Sequence, residues 1–299
     1  MGRRQERDEV ARKTVRARRL GRQLRTLREA ARLSQGQLCE AINAGQDRSA
    51  TISQGQLSKI ESGTARLDAD QLARVLTALS ADEAIAQRLE ELRAQAEEPG
   101  WWRQYAPYLH ETLELMVELG DDATNLRTYD SIFVQGLLQT PDYARAVVES
   151  GRAWVRPTAV DDLVELRMRR QQRLTEPGFE GLIAVLAEAT LHHQVGGPTV
   201  MAAQLQKLCD VAENGTAAVH VLPFTAAPWP GFGGFVIYGF PDELDTEVVQ
   251  VDGDLGAGIH EDKESIKAVT YTHSAALAQA LSARESLDVI AAAKKKLDE

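Results

Sequence analysis

The pentapeptide SQGQL occurs twice, at Ser34–Leu38 and again at Ser53–Leu57. Nothing around these residues recurs, so they do not mark a repeat architecture, which needs self-similarity over a whole unit. Read chemically, each copy places a Ser three residues ahead of a Gln and just before an apolar run. That is the signature of a helix start: the Ser oxygen accepts from an orphan backbone N–H, and the Gln reaches back to the cap. Two capped helix starts close together in a basic segment point to a helix-turn-helix.

The surrounding residues extend the pattern. From Arg18, Leu20, Leu24 and Leu27 recur at spacings of four and three, one face of a helix, with Arg22, Arg25 and Arg28 off that stripe. The second helix starts at Ser34 with Leu38 and Ile42 inward. "NAGQDRSAT" supplies turn residues, and the third helix starts at Ser53 with Leu57 and Ile60 inward. "ESG" ends it, with Gly63 free to take the left-handed cap conformation. Asp68 with Gln71 caps a fourth helix whose inner face is Leu72, Val75, Leu76 and Leu79. Ser80 with Glu83 is expected to cap a fifth, with Ile85, Leu89 and Leu92 in register, until "EEPG" at 97–100 breaks it. We therefore divide the chain into a charged arm (1–17), a helix-turn-helix domain (18–80), a connecting helix or linker (81–100) and a larger domain (101–299).

In the larger domain, 101–176 reads as helical, including a helix over 161–175 and one in which Thr140 caps and Pro141 takes the first helical position. Over 177–299 the period changes: 181–189, 217–223, 234–240 and 246–252 are short apolar or alternating runs that suit strands. A helix over about 199–213 separates the first two. A helical stretch over about 262–282 and an amphipathic tail complete an α+β domain, a small sheet covered by helices.

The 299-residue length suits about two domains. No apolar run approaches the ~18 residues of a membrane span, and the charged opening "MGRRQERDEVARK" has no apolar leader core. Cys39 and Cys209 are far apart and lack CxxC spacing, so a reduced, cytoplasmic setting is expected. The net charge of −10 is uneven: residues 1–70 hold 15 Lys+Arg and 9 Asp+Glu (+6), the remainder 19 and 35 (−16). A basic head on an acidic body suits a nucleic-acid-binding module joined to a separate domain.

In a helix-turn-helix the third helix lies in the major groove and presents polar side chains to base edges. The outward positions here are Gln54, Gln56, Ser58 and Lys59, and Gly55 leaves room for close backbone approach. Gln54, Gln56 and Lys59 are the expected base readers, since Gln pairs bidentately with adenine. Gln35, Arg48, Ser53, Ser58, Thr64 and Arg66 are the expected backbone contacts, from helix starts and flanking loops. The segment "LGRQLRTLREAARLSQGQLCEAI…ISQGQLSKIESGTARLD" resembles the lambda-repressor-like, XRE-type helix-turn-helix over about residues 18–80. That likeness implies Gln54 and Gln56 as readers, with Gln35, Lys59 and Arg66 nearer the backbone. One departure stands out: the two Ser caps are 19 residues apart, whereas a turn of ~3–4 residues usually joins such helices. "GQDRSAT" therefore reads as an insertion.

The rest of the chain carries a second resemblance. "GWWRQY", "GLLQTPDYARAVV", "RMRRQQRL", "ATLHHQVGGPTVMAAQLQKL", "AAVHVLPF" and "FVIYGFPD" resemble the Scr1-like C-terminal domain of actinobacterial regulators, formerly a domain of unknown function, over about 101–281. This implies a transcriptional regulator, often with a small partner protein encoded nearby in an antitoxin-like arrangement. Trp102, and Phe224, Trp229 and Phe232 in the loop "LPFTAAPWPGFGGF", are the candidate partner or ligand contacts. The charges of "ELRMRRQQRL" read as a solvated helix face.

No catalytic signature stands out. His192 and His193 are adjacent and point different ways, and there is no P-loop, no GxSxG and no metal-ligand spacing. The expectation is a cytoplasmic, nucleoid-associated regulator and no enzyme, without cofactor or metal. It binds operator DNA as a homodimer through the head and senses a ligand or partner protein through the body. The alternative is an antitoxin-like protein that sequesters a small partner and autoregulates its operon.

Overall fold

The computed structural model describes residues 14–47, 50–151, 155–229, 231, 233–241, 246–253 and 256–298. The described residues fall into two compact units that part between Trp101 and Trp102.

Among the described residues the first unit is a bundle of five helices, α1 (Val15–Ala30), α2 (Gln35–Asn43), α3 (Gln54–Glu61), α4 (Ala69–Ala78) and α5 (Glu83–Glu97). Their starts are set by side-chain caps: Thr14, Ser34, Ser53, Asp68 and Asp82 each accept from a backbone N–H of the first turn. At Ser34 and Asp68 the reciprocal bond from Gln37 and Gln71 completes a capping box. One core holds the bundle, with Leu20, Leu24, Leu38, Ile42, Leu57, Ile60, Leu72, Val75 and Leu89 all buried. Gly21 lets α1 and α3 touch, because a Cβ there would collide with the Ile60 carbonyl. Gly63 closes α3 at φ +68°, its N–H donating to the Ile60 carbonyl.

Two boundaries differ from the sequence expectation. Helix α1 begins at Val15, whose buried side chain draws the last residues of the expected arm into the bundle. Ser80 does not cap α5. It stands at φ 52° and ends α4, with the Ala81 N–H on the Leu76 carbonyl, while Asp82 supplies the cap. Over 81–100, read as a connecting helix or linker, the chain forms α5, whose Leu89 and Leu92 belong to the helical core.

The second unit is built on a six-stranded sheet in the order β3-β2-β1-β4-β5-β6. The strands are β1 (Asn125–Asp130), β2 (Gly181–Ala187), β3 (Ala218–Leu222), β4 (Phe235–Gly239), β5 (Val248–Val251) and β6 (Gly258–His260). Strands β1, β2 and β3 run parallel to one another, and β4, β5 and β6 continue antiparallel from β1. The helices are α6 (Glu111–Asp122), α7 (Pro141–Ser150), α8 (Val160–Arg170), α9 (Glu188–His192), α10 (Pro198–Asn214), α11 (Lys263–Leu277) and α12 (Ala283–Asp298).

The 101–176 segment is therefore not wholly helical. It contributes β1, which lies between β2 and β4 inside the sheet. In "NLRTYD" only Leu126 and Tyr129 are large and apolar, so the run carries no strand-like hydrophobic alternation. Successive side chains of a strand face opposite ways, and the two sheet faces differ in chemistry. Tyr129, Val185, Phe235, Ile237 and Val249 form an apolar layer with Ala276 of α11. On the other face the register aligns Thr128 with Val236, and Val236 with Gln250. That face also carries Asp130, Tyr238 and Asp252. Among the described residues no helix is long and apolar enough to cross a membrane.

Candidate nucleic-acid interface

Helix α3 turns Leu57, Ile60 and Glu61 inward and leaves Gln54, Gly55, Ser58 and Lys59 exposed. At ~3.6 residues per turn, Gln54 and Ser58 lie one above the other, as do Gly55 and Lys59. Gln56 sits about 200° around the axis from Gln54 and is half-buried. A Cβ at Gly55 would meet nothing within 4 Å, so the outer surface of the first turn is open. The Ser53 oxygen is occupied by the Gln56 N–H at 3.2 Å.

The helix is fixed by a buried ion pair. Arg28 of α1 grips Glu61 with Nε on Oε1 at 2.6 Å and Nη2 on Oε2 at 3.1 Å. Arg28 Nη1 also donates to the Leu33 carbonyl at 2.8 Å, and Gln35 Nε2 donates to Glu61 Oε2 at 2.8 Å. One carboxylate thus joins α1, the start of α2 and the end of α3. Its hydrogen bond raises the Arg28 pKa against the opposing effect of burial. Gln35 spends its amide on this clamp. Only the N–H groups of the first α2 turn, which have no intrahelical acceptor, remain there for a phosphate. Burial pushes the Cys39 thiol up, which keeps it unreactive.

The lengthened connection between α2 and α3 is anchored where it returns. Asn43 exchanges two hydrogen bonds with the Ile52 backbone, Nδ2 to O at 2.9 Å and N to Oδ1 at 2.8 Å. Arg74 of α4 donates to the Ala50 carbonyl at 2.8 Å. Arg48 lies outside the described residues. Beyond α3, Arg66 is exposed, and the half-buried Thr64 hydroxyl donates to the Lys59 carbonyl at 3.1 Å.

Sequence reading missed Arg28, Asn43 and Glu61. Arg28 lies off the leucine stripe, Glu61 looks like ordinary helix-end chemistry, and Asn43 looks like a turn residue. Their partners are 33 residues and nine residues away in the chain.

The partner or ligand candidates separate. Trp102 is buried, at 5% exposure, and offers no anchor. Trp229 stands edge-on to Tyr129 with ring centroids 4.4 Å apart and packs on the apolar layer. Phe224 is 67% exposed and stacks on His192. Phe232 lies outside the described residues. His193 stacks instead on Phe133, so the adjacent histidines do diverge. Among the described residues no group of His, Cys, Asp or Glu is placed to hold a metal ion.

The charged run from α8 into the following turn is solvated only in part: Glu165, Arg169 and Gln172 are exposed, while Arg167, Gln171 and Arg173 turn toward the protein. Arg167 Nη1 donates to Gln139 Oε1 at 2.8 Å, and Gln171 donates to the Gly136 and Gln139 carbonyls. Arg173 holds the Ala123 carbonyl with two nitrogens. The run binds the 134–140 segment from inside because that segment exposes carbonyls no strand or helix satisfies.

Comparison with known families covers both units. Residues 19–89 match the model of a helix-turn-helix domain. Residues 113–292 match the model of a domain of unknown function, DUF5753. No curated protein and no solved structure matches the chain. The first unit is a helix-turn-helix domain, the mark of a DNA-binding regulator, and with more than half of its length in the second match the chain belongs to the DUF5753 family.

Proposed function

We propose that the protein is a sequence-specific, XRE-type DNA-binding transcription regulator of the cytoplasm that works as a homodimer on operator DNA. Its Scr1-like second domain dimerises and senses a ligand or partner protein, and neither domain performs catalysis. The observation that carries this reading is α3 itself. An exposed strip of Gln54, Gly55, Ser58 and Lys59 stands on a helix held by the Arg28–Glu61–Gln35 clamp. Preorganised side chains on a rigid helix are what groove readout requires.

Gln54 and Lys59 share the exposed strip and are the principal readers. Gln56, half-buried and on the helix flank, assists at the edge of the contact. Arg66, Ser53 and the first-turn N–H groups of α2 hold phosphates.

The test is selection of binding sites from a random duplex library by the full chain. Titration of Gln54→Ala, Lys59→Ala and Gln56→Ala against the selected site and scrambled DNA follows. Gln54→Ala is expected to lose about 1–3 kcal/mol of discrimination, the value of one bidentate contact, with scrambled DNA bound as before. Gln56→Ala should lose less. A library with no enriched sequence, or equal losses on selected and scrambled DNA, would overturn the assignment.

A further inference from the structure

The second unit contains a cavity of about 800 Å³, in the size range of small-molecule sites. Its walls are largely apolar, among them Leu113, Val148, Val155, Leu163 and Leu166, and its lining also includes Arg167 and Arg170. The stripe Leu163, Leu166, Arg167, Arg170 follows helical spacing along α8, so one helix supplies both the greasy wall and the two charges. His110 and the backbone of Gly253 and Gly258 border the remainder.

Among the described residues neither guanidinium has a carboxylate partner. Arg167 has one hydrogen bond, to the neutral Gln139. Arg170 forms no ion pair or hydrogen bond among the described residues, and Tyr238 is its favourable electrostatic neighbour. Burial brings the Arg167 pKa down to about 10, and the positive charge of Arg170 adds to the fall. The carboxylates Asp130 and Asp252 of the sheet face are held by Thr128 and Gln250 and pair with neither arginine.

Two half-buried like charges side by side on an apolar wall repel each other and lose hydration unless something neutralises them. The C-terminal end of the α8 dipole offsets part of that cost, and among the described residues no carboxylate pairs with either arginine to offset the rest. Arginine also presents a planar fork suited to a carboxylate or phosphate.

We propose that this cavity binds an amphiphilic organic anion, whose carboxylate or phosphate head is gripped by Arg167 and Arg170 while its apolar body fills the Leu113–Val148–Leu163 side. This deepens the sensing role proposed above and rests on it only for its consequence. The binding itself is measured without DNA, so it stands or falls separately from DNA recognition.

The experiment is calorimetry on the full chain with decanoate, decyl phosphate and decanol. Saturable one-to-one binding of at least one anion is expected, with decanol at least tenfold weaker. The tighter of the two anions identifies the head group. Arg170→Gln should weaken the anion tenfold or more and leave decanol unchanged. Val147→Phe, which puts a larger side chain at a cavity-lining position of α7, should abolish binding with both arginines intact, and covers the case in which Arg170→Gln misfolds. No saturable binding of either anion, decanol as tight as the anions, or undiminished affinity in both variants would overturn the proposal.

Discussion

Glu61 shows how one side chain decides whether the reading helix has a fixed place. Its carboxylate is 4% exposed and Arg28 is 10% exposed, so the pair sits in the bundle interior and not on a hydrated surface. Removing one member of such a pair leaves the other charged and unpartnered, at about 3–5 kcal/mol. Glu61→Ala should therefore destabilise the helical unit by about that amount, read by urea unfolding of the full chain. The double replacement Arg28→Met with Glu61→Leu should recover most of the loss, since similar-sized apolar groups substitute well for a buried pair. A loss below about 1 kcal/mol for Glu61→Ala, the range of surface pairs, would mean the pair is hydrated in solution. None of this is legible in "ESG" alone, because the clamp is a tertiary contact and the sequence carries only local signals.

At the scale of elements, legibility followed how local the cause was. The caps Ser34, Ser53 and Asp68 and the leucine spacings of α1, α4 and α5 are local and appear in the structure, except that at Ser53 the return bond from the Gln56 side chain is not made. Ser80 misled because Ser-x-x-Glu fits a capping box. Asp82 lies two residues later and supplies a cap of its own, while the chain needs a left-handed residue to leave α4. Strand β1 was illegible because its run is mostly polar: Thr128 is buried with its hydroxyl on Asp130 of the same strand, and the apolar residues beside it, Ala184 and Val236, come from other strands. The inward turn of Arg167, Gln171 and Arg173 was hidden for the same reason. Helix α3 permits a test of its own. Gly55 is exposed in its first turn with no close neighbour, and Gly costs a helix roughly 0.5–1 kcal/mol relative to Ala. Gly55→Ala should thus raise stability by up to that amount while weakening DNA binding, because a methyl group now stands where the backbone approaches the groove. Tighter or unchanged DNA binding in this variant would remove Gly55 from the interface.

At the scale of the whole molecule, two buried groups on opposite faces of one sheet set opposing responses to pH. Desolvation, with Asp252 nearby, raises Asp130 from 3.8 to about 8. Desolvation, with the nearby Arg127 charge acting in the same sense, lowers His273 from 6.5 to about 4. Between about pH 4 and 8 the folded chain holds a proton on Asp130 that the unfolded chain has lost, so stability falls as pH rises through that window. Between about pH 4 and 6.5 the unfolded chain protonates His273 and the folded chain does not, so this group makes stability rise with pH. The two effects oppose each other on the acid side. Above about pH 6.5 Asp130 acts without that opposition. The slope for one group is at most about 1.4 kcal/mol per pH unit. Melting curves of the full chain from pH 4 to 9 should show a decline between about 6.5 and 8 that Asp130→Asn flattens, while His273→Gln leaves it in place and removes the rise at lower pH. Parallel curves for the parent chain and Asp130→Asn over that interval would show that Asp130 is ionised at neutral pH, and that the polar face of the sheet holds a charge which the arginines of the cavity must then balance.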